Sequence, residues 1–400
     1  MQRYDTYKDS GVKWLGEIPS HWEVKRLASY FTERRVKVSD KEYEPLSVTK
    51  LGVFPQWENV AKTNDGDNRK LVKKGDFVIN SRSDRKGSSG VADRDGSVSL
   101  INIVLKPRNT IRADFSNYLL KSYKFIEEYY RNGRGIVADL WTTRYDEMKM
   151  IKLAVPPLEE QTAIANYLDT ATAKIDAAIA QQQKMIDLLN ERKQIIINRA
   201  VTKGLNPNAK MKDSGVEWIG EVPEEWEVRK LKHIAKLQSG ETISSDNFTE
   251  AGYPVFGGNG FRGYTNRYTN DGDYVLIGRQ GALCGNVNYA HGQFFASEHA
   301  VVVYPYYKEN LVWLGEVIRA SNLNQYSQSA AQPGLAVSMI QNISYPYPPE
   351  KEREKIASFL KNHLSQIDMA IANCQKQISL LQERKQIVIN EVVTGKVKVV

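Results

Sequence analysis

The feature that most constrains this chain is an internal repeat in two parts. The segment KDSGVKWLGEIPSHWEVKRL at residues 8–27 recurs as KDSGVEWIGEVPEEWEVRKL at residues 212–231, with 13 of 20 positions identical. A longer segment at residues 156–202 recurs at residues 348–394 with 25 of 47 positions identical. The stretches between them show no comparable similarity. Because self-similarity on this scale marks repeated structural units, the 400 residues form one frame used twice around two different inserts.

The longer repeated segment predicts one long helix in each copy. Its apolar residues mostly alternate in steps of four and three, which is the spacing of a heptad stripe. Neither copy has an internal glycine or proline, and each begins just after a Pro-Pro pair and reaches Gly204 or Gly395 near its end. The predicted stripe consists of Ile164, Leu168, Ala171, Ile175, Ala178, Met185, Leu189 and Ile196 in the first copy, and of Ile356, Leu360, His363, Ile367, Ala370, Cys374, Gln377, Leu381 and Val388 in the second.

Each predicted helix needs a partner for its stripe. A helix of this length, at about 1.5 Å per residue, spans roughly 65 Å, and the nearest matching stripe is its own copy. Since the chain must pass through the whole second insert before the second helix begins, we expect the pair to be antiparallel.

The two inserts combine β-branched runs, bounded by glycine and aspartate, with shorter stretches of helical spacing. We therefore expect an α+β fold class with two globular domains of mixed α/β structure, residues 1–155 and 205–347. Two long antiparallel helices would join them as a coiled coil, within residues 156–204 and within residues 348–400, which also include a C-terminal tail. A pseudo-twofold internal repeat would relate the halves.

The halves differ in charge. The chain carries +8 in total, from 55 Lys and Arg against 47 Asp and Glu. Residues 1–155 hold 29 basic and 21 acidic side chains, whereas residues 205–347 hold 11 and 14. A modest basic excess permits a polyanionic partner such as a nucleic acid, and this excess lies in the first half.

Motifs for catalysis, metal binding and membrane insertion are missing from the sequence. The two cysteines and five histidines offer neither a disulfide framework nor a paired metal-ligand spacing. No apolar run approaches the ~18 residues of a membrane helix, and the first residues lack the apolar core of a signal peptide. We expect a cytoplasmic protein that is not itself catalytic, holds no metal or cofactor, and has no membrane partner.

Two alternative functions stay open at this point. The motif GNGFRG at residues 258–263 has the spacing of a dinucleotide fingerprint, although the residues after it are turn-rich and polar instead of helical. A nucleotide-dependent enzyme would rest on this motif alone. A structural coiled-coil adaptor would explain the helices but would leave the two divergent inserts without a role.

Two sets of polar side chains suit direct contact with DNA. In the first insert, basic residues lie in a loop between two predicted strands and in a second cluster further along. In the second insert, amide and guanidinium groups lie in turns among tyrosines. Arginine pairs bidentately with guanine, and asparagine or glutamine pairs with adenine. The candidate DNA-binding residues are Arg82, Arg85, Lys86, Arg134, Arg144, Asn259, Arg262, Arg279 and Gln280.

Four stretches of the sequence resemble one known family. They are DSGVEWIGEVPEEW, LIGRQGALCGNVNYAHGQFFASEHAVVV at residues 276–303, PPLEEQTAIANYLD and ERKQIIINRAVTKG. Together they resemble the specificity subunit of type I restriction-modification systems, over nearly the whole chain and both repeats. The resemblance implies two target recognition domains, each reading one half of a bipartite site in double-stranded DNA, with the coiled coil acting as a ruler between them.

The same resemblance implies partners. Two modification subunits would dock on the helices and methylate adenine with S-adenosylmethionine. Restriction subunits would add translocation and cleavage driven by ATP with Mg²⁺. In this family the specificity subunit is not itself catalytic, so these cofactors are expected on the partner subunits.

Overall fold

The two halves of the chain run through similar frames of short strands and end in long helices. The structure, a computed structural model, describes residues 2–56, 66–135, 141–281, 283–307, 309–327 and 334–399. It divides into two compact units: unit 1 is Met1–Gln182 with Lys376–Val400, and unit 2 is Gln183–Gln375. Each unit therefore holds one insert together with about half of each long helix. The domain limits at residues 155, 204 and 347 stay predictions.

The elements of the first half end in the first long helix. Its strands are β1 (Tyr7–Asp9), β2 (Glu17–Pro19), β3 (Glu23–Arg26), β4 (Phe31–Glu33), β5 (Lys37–Val38), β6 (Leu46–Val48), β7 (Val53–Pro55), β8 (Arg69–Val72), β9 (Phe77–Asn80), β10 (Ser89–Val91), β11 (Gly96–Val98), β12 (Asn102–Pro107) and β13 (Lys152–Val155). Its helices are α1 (Ala113–Lys121), α2 (Tyr123–Arg131), α3 (Tyr145–Met148) and α4 (Leu158–Lys203).

The elements of the second half end in the second long helix. Its strands are β14 (Met211–Asp213), β15 (Glu221–Pro223), β16 (Glu227–Lys230), β17 (Ala235–Ser239), β18 (Tyr253–Gly257), β19 (Gly260–Thr265), β20 (Asn270–Asp271), β21 (Tyr274–Gly278), β22 (Val287–Ala290), β23 (Gln293–Ala296), β24 (Ala300–Pro305) and β25 (Ser344–Tyr347). Its helices are α5 (Leu311–Ala320), α6 (Val337–Ile340) and α7 (Glu350–Val393).

The repeated segments adopt the same pairing in both units. Strand β1 pairs with β2 as β14 pairs with β15, antiparallel in both cases. Strand β3 pairs with β13, the strand that leads into α4, and β16 pairs with β25, which leads into α7. The register is also the same, since Glu23 lies opposite Val155 and its repeat equivalent Glu227 lies opposite Tyr347. Sequence identity in the frame therefore corresponds to identity of structure.

The inserts fold differently. In unit 1, the main sheet has the antiparallel order β10-β9-β12-β4, and a second sheet has the order β11-β8-β5. In unit 2, one sheet has the order β17-β24-β21-β22, and another has the order β19-β18-β23-β20, in which β18 and β23 run parallel. The frame thus presents two unlike domains.

Both long helices are built into the domain cores at their ends. In unit 1, the buried side chains of Ile164 near the start of α4 and Val392 at the end of α7 belong to the core that also contains Trp22. In unit 2, Val201 at the end of α4 and Ile356 near the start of α7 belong to one core with its repeat equivalent, Trp226. The helices are therefore antiparallel within each unit, as predicted.

Ion pairs join the helices at equivalent positions of the repeat. In unit 2, Lys193 Nζ lies 2.7 Å from Asp368 Oδ1, and in unit 1, Lys385 Nζ lies 2.7 Å from Asp176 Oδ2. The two pairs use the same two repeat positions with the roles of the helices exchanged. Because these side chains are partly exposed, each pair contributes to register more than to stability.

The predicted stripe is wrong at three positions. Met185, His363 and Gln377 are exposed, whereas Ile186 and Leu364 are buried. The buried and half-buried residues keep a seven-residue spacing, with Thr172, Ile179, Ile186 and Lys193 on α4 and Leu364, Ile371, Ile378 and Lys385 on α7. The heptad pattern is therefore real, and the prediction placed one of its two positions one residue too early.

The start of each long helix is fixed by buried polar contacts. The indole Nε1 of Trp22 donates to Glu160 Oε1 at 3.0 Å, and that of Trp226 donates to Glu352 Oε2 at 2.8 Å. The next helix residue is Gln161 in one copy and Arg353 in the other, and both are buried.

This difference between the copies preserves one hydrogen bond. Gln161 Nε2 donates to the carbonyl of Pro156 at 2.9 Å, and Arg353 Nη1 donates to the equivalent carbonyl of Pro348 at 2.6 Å. The substitution therefore leaves both helix starts tied to the loop that precedes them. Among the described residues, no helix is apolar over a sufficient length to cross a membrane.

Candidate nucleic-acid interface

The first candidate surface is built on the loop that follows β9 in unit 1. Arg82, Arg85 and Lys86 are exposed in this loop, which leads back into the sheet at β10. The Tyr130 hydroxyl of α2 holds the loop from beneath, because it donates to the carbonyl of Asn80 at 2.9 Å and lies 3.4 Å from that of Arg85. Burial raises the pKa of Tyr130 to about 12, so this hydroxyl stays a donor at neutral pH.

The structure brings Arg134 and Arg144 to the same loop. Thr142 exchanges two backbone hydrogen bonds with Arg134, at 3.0 and 3.1 Å, and forms a bridge with Arg82. Arg144 follows two residues later and is exposed. The two basic clusters of the sequence, separated by about fifty residues, therefore form one surface, which we call the arginine surface: Arg82, Arg85, Lys86, Arg134 and Arg144.

Most cations of the arginine surface have an acidic neighbour. Arg82 and Arg85 share Asp84, at 3.2 and 3.8 Å, and Lys86 Nζ lies 2.7 Å from a carboxylate oxygen of Glu127. These pairs are exposed, so each contributes little to stability and exchange for DNA phosphate costs little.

Arg134 and Arg144 meet the same carboxylate in different ways. Arg134 Nε lies 3.4 Å from Glu147 Oε1, while the backbone N–H of Arg144 donates to Glu147 Oε2 at 3.0 Å. Among the described residues, the Arg144 guanidinium has neither a hydrogen bond nor an ion pair within 4 Å. Its charge is therefore the most available of the five.

A groove beside the arginine surface contains cations that the sequence did not suggest. Arg35 and Lys70 line it together with Arg82 and Arg144, and the exposed side chain of Ile101 forms part of its wall. Arg35 and Lys70 come from distant parts of the chain, and no local motif marks either of them. Only the packing of the sheets brings these side chains to the candidate site.

The second candidate surface is built on the β18–β19 hairpin of unit 2. A Cβ atom on Gly278 would lie 2.0 Å from the carbonyl oxygen of Gly258, so the hairpin turn packs directly on the end of β21. This close approach brings Asn259 of the turn near the residues after Gly278, which are Arg279 and Gln280. We call Asn259, Arg262, Arg279 and Gln280 the hairpin surface.

The four side chains of the hairpin surface differ in freedom. Asn259, Arg262 and Gln280 are exposed, and Asn259 Oδ1 accepts a hydrogen bond from Asn286 Nδ2 at 3.1 Å. Arg262 Cζ lies 5.7 Å from the centre of the Phe248 ring. Arg279 is half-buried, and its Nη1 donates to Ser239 Oγ at 2.9 Å. Arg279 is therefore held in place, while the other three can turn toward a ligand.

The hairpin excludes the dinucleotide hypothesis. A dinucleotide fingerprint places its glycines before a helix whose N-terminal amides bind the pyrophosphate. Here the motif forms the turn and second strand of a hairpin, and strand β20 follows. Gly258 and Gly263 serve packing instead, since a Cβ on Gly263 would lie 2.9 Å from the Phe248 ring. In the described part of the chain, no group of three or more His, Cys, Asp and Glu side chains could hold a metal ion.

The structure thus groups the five candidate residues of unit 1 on one surface. In unit 2 it brings the turn that contains Asn259 next to Arg279 and Gln280, and Arg262 follows three residues later on the same hairpin. Contact of these nine residues with DNA stays a prediction. The family described as Type I restriction modification DNA specificity domain matches residues 19–186 and 223–379, one match in each half. The two matches therefore cover most of the chain and follow its repeat.

Curated relatives carry the same description. The chain is 41% identical to the type I restriction enzyme EcoprrI specificity subunit of Escherichia coli, over 36% of this chain and 39% of that protein. It is 26% identical to the type I restriction enzyme MjaVIII specificity subunit of Methanocaldococcus jannaschii, over 98% of this chain and 97% of that protein. The first match thus spans well under half of its relative, and the second nearly all of it.

Solved structures share the fold. One is a chain from a structural study of complex assembly and conformational transition of the type I R-M system, with a TM-score of 0.71, 15% identity, and coverage of 94% of this chain and 98% of that one. Another is the HsdS subunit from Thermoanaerobacter tengcongensis, with a TM-score of 0.51, 16% identity, and coverage of 95% and 98%. These likenesses confirm the predicted fold class. The chain belongs to the family of type I restriction-modification DNA specificity proteins.

Proposed function

We propose that this chain reads a bipartite site in double-stranded DNA, with each unit recognising one half. The observation that carries the proposal is the contrast between frame and inserts. The frame has the same strand register in both units, whereas the inserts have different sheets and present different polar surfaces. A protein that held DNA by charge alone would not need two unlike domains on one duplicated frame.

The chemistry of the two surfaces supports reading as well as binding. The arginine surface offers guanidinium groups, which pair with guanine edges and with phosphates. The hairpin surface adds the side-chain amides of Asn259 and Gln280, the groups that pair with adenine. We propose these side chains as the DNA contacts of the first and second half-sites.

The long helices would set the distance between the half-sites. Helix α4 has 46 residues and α7 has 44, and both are continuous. At about 1.5 Å per residue, each spans roughly 65–70 Å. Because each helix end is buried in a domain core, a change in helix length cannot be absorbed by a flexible linker.

Equivalent exposed residues on the helices support docking of two identical partners. Leu188 and Ile195 of α4 are 50% and 58% exposed, and their repeat equivalents Leu380 and Ile387 of α7 are 48% and 47% exposed. The four residues before each isoleucine, ERKQ, are the same in both copies. These exposed apolar side chains are the same in both copies, although the inserts diverged. They therefore indicate a contact outside this chain. We define these four residues as the helix docking face.

We propose that modification subunits occupy the helix docking face, one on each copy. They would bind S-adenosylmethionine and methylate adenine at the site that this chain selects. Restriction subunits, with ATP and Mg²⁺, would direct cleavage to the same site. This chain would supply recognition and geometry without catalysis or a cofactor of its own, and it would act where the cell's DNA lies, in the cytoplasm.

The test is methylome sequencing of DNA from cells that express this chain with the modification subunit encoded beside it. Cells that lack this chain serve as the reference. We expect a new methylated-adenine motif with two specific halves and a fixed nonspecific gap. A continuous motif, or no motif although the complex forms, would contradict the proposal and favour the structural adaptor.

A variant of the helix docking face tests the docking proposal separately from the DNA-reading proposal. Replacing its four apolar residues by glutamate should erase methylation and remove the modification subunits from the purified complex. These positions are exposed, so circular dichroism and melting temperature should stay near those of the parent. Methylation that persists in this variant would exclude the face as the docking site and leave the DNA-reading proposal in place.

A further inference from the structure

Two aromatic rings stand exposed on the β18–β19 hairpin. Phe261 is 54% exposed and Tyr264 is 38% exposed, although large aromatic side chains are usually buried. Their ring centres lie 5.0 Å apart in an edge-to-face arrangement, with an interplanar angle of 65°. The rings therefore form one apolar patch at the surface of unit 2.

The backbone is shaped to create this patch. In a regular strand, residues three apart point to opposite faces of the sheet. The register of β18 and β19 shifts between Val255 and Phe256, and Gly263, between the two aromatic residues, has a φ of +148°. A bulge of this kind turns a side chain to the other face. It brings Phe261 and Tyr264 side by side.

The patch adjoins Asn259, one of the side chains proposed to read bases. Asn259 lies two residues before Phe261, in the turn, and Arg262 lies between the two aromatic residues. Arg262 points to the other face of the hairpin, because a Cβ on Gly257 would lie 2.4 Å from Arg262 Cδ, whereas Phe261 pairs with the neighbouring Phe256. A ligand that met Asn259 at the turn would therefore also meet the aromatic patch, and Arg262 lies outside this contact.

The charge of the second insert calls for contacts of this kind. Residues 205–347 hold 11 basic and 14 acidic side chains, so attraction to phosphate is weak in this half. Non-electrostatic contacts to base edges would have to supply more of the affinity than at the arginine surface. The exposed apolar group that a major groove offers is the C5-methyl of thymine.

We propose that Phe261 and Tyr264 form the contact surface for a thymine methyl group in the major groove of the second half-site. The inference rests on the proposed function and deepens it. In this edge-to-face pair the edge of one ring lies against the face of the other, so neither ring projects alone from the surface. This arrangement suits van der Waals contact with a methyl group and not insertion of a flat ring between base pairs.

The test uses the complex of this chain with its modification subunits, and a DNA duplex that carries the site found by methylome sequencing. Each thymine of the second half-site is replaced in turn by deoxyuridine, which lacks only the methyl group. At one position we expect the parent to bind about fourfold more weakly, because one buried methyl contact is lost. The Phe261→Ala/Tyr264→Ala variant should bind the parent duplex about tenfold more weakly and show no further loss on this replacement.

Two further measurements distinguish methyl contact from ring stacking and from phosphate binding. Phe261→Leu keeps apolar bulk and should retain most of the affinity and the sensitivity to deoxyuridine. The slope of affinity against salt should not change in any of these variants, because no phosphate contact is removed. The matched control is Tyr307→Ala, which removes an exposed aromatic ring that follows the C-terminal end of β24. This variant should bind like the parent.

Clear results would overturn the inference. A second half-site without thymine, or parent binding that is unchanged by deoxyuridine at every position, would exclude methyl contact. A double variant as sensitive to deoxyuridine as the parent would place the contact elsewhere. If Phe261→Leu bound DNA much more weakly than the parent, and its remaining binding did not change on replacement by deoxyuridine, ring stacking would be indicated instead. Failure of the proposed function would appear earlier, as the lack of any split methylation motif.

Discussion

Replacing Gly278 by alanine is expected to abolish recognition of the second half-site while the first half-site is still bound. The new Cβ would lie 2.0 Å from the carbonyl oxygen of Gly258 and 3.0 Å from its Cα. These are backbone atoms of the hairpin turn, so no side-chain rotation can relieve the overlap. The turn must move away from the end of β21, which separates Asn259 from Gln280.

The expected size of this effect follows from the base contacts that the displaced turn no longer makes. Each good base contact contributes about 1–3 kcal/mol of discrimination, and the displacement removes at least two. Binding to a duplex with both half-sites should therefore weaken by about 100-fold or more. Duplexes that carry one intact and one scrambled half-site, compared in a fluorescence-anisotropy titration of the assembled complex, assign the loss to one half.

The control for this variant is Gly334→Ala. Gly334 forms a backbone bridge with Gln280, but the nearest atom to its Cβ would be the carbonyl oxygen of Arg279 at 3.7 Å, an ordinary contact. The Gly334→Ala variant should therefore bind like the parent. If Gly278→Ala kept the parent's discrimination at the second half-site, the hairpin turn would not be part of the reading surface.

Replacing Arg353 by methionine is expected to destabilise unit 2 by about 3–5 kcal/mol, the usual cost of leaving a buried charge unpaired. Arg353 Nε lies 2.9 Å from Glu309 Oε2, and the side chains are 9% and 1% exposed. The guanidinium also donates to the carbonyl of Pro348 at 2.6 Å and lies over the Tyr347 ring at 4.4 Å. The substitution removes these contacts at the start of α7.

Denaturant unfolding measures this loss of stability directly. The double variant Arg353→Met/Glu309→Gln should recover much of the stability, because it leaves no buried charge behind. Tyr347 can still donate its hydroxyl hydrogen bond to the new amide oxygen, as it donates at 2.6 Å to Glu309 now. A double variant no more stable than Arg353→Met would show that packing, and not charge, carries the effect.

The sequence predicted the frame far better than the candidate site. The repeat alone was enough for two long antiparallel helices, because a stripe on each copy had to be buried and the chain order allowed one direction. The predicted stripe failed at Met185, His363 and Gln377, where the residue after each one faces the partner helix instead. Which of two neighbouring residues is buried depends on how the two helices pack and not on residue type alone.

The candidate surfaces were only partly visible in the sequence. Basic and amide residues in loops were recognisable by type, but the contact of Gly258 with Gly278 joins residues twenty positions apart. Arg35 and Lys70 come from different parts of the chain and meet Arg144 only in the folded domain. The acidic neighbours Asp84 and Glu127, which offset part of the charge, are likewise set by packing.

The most direct test of the account lengthens the two helices together. One heptad is inserted after Gln182 in α4 and one after Gln375 in α7, which keeps the paired register. The insertion adds about 10 Å, close to three base pairs at ~3.4 Å each. Methylome sequencing should give the same two half-sites with a gap about three base pairs longer. An unchanged gap, or an altered half-site, would contradict the claim that two reading domains are spaced by these helices.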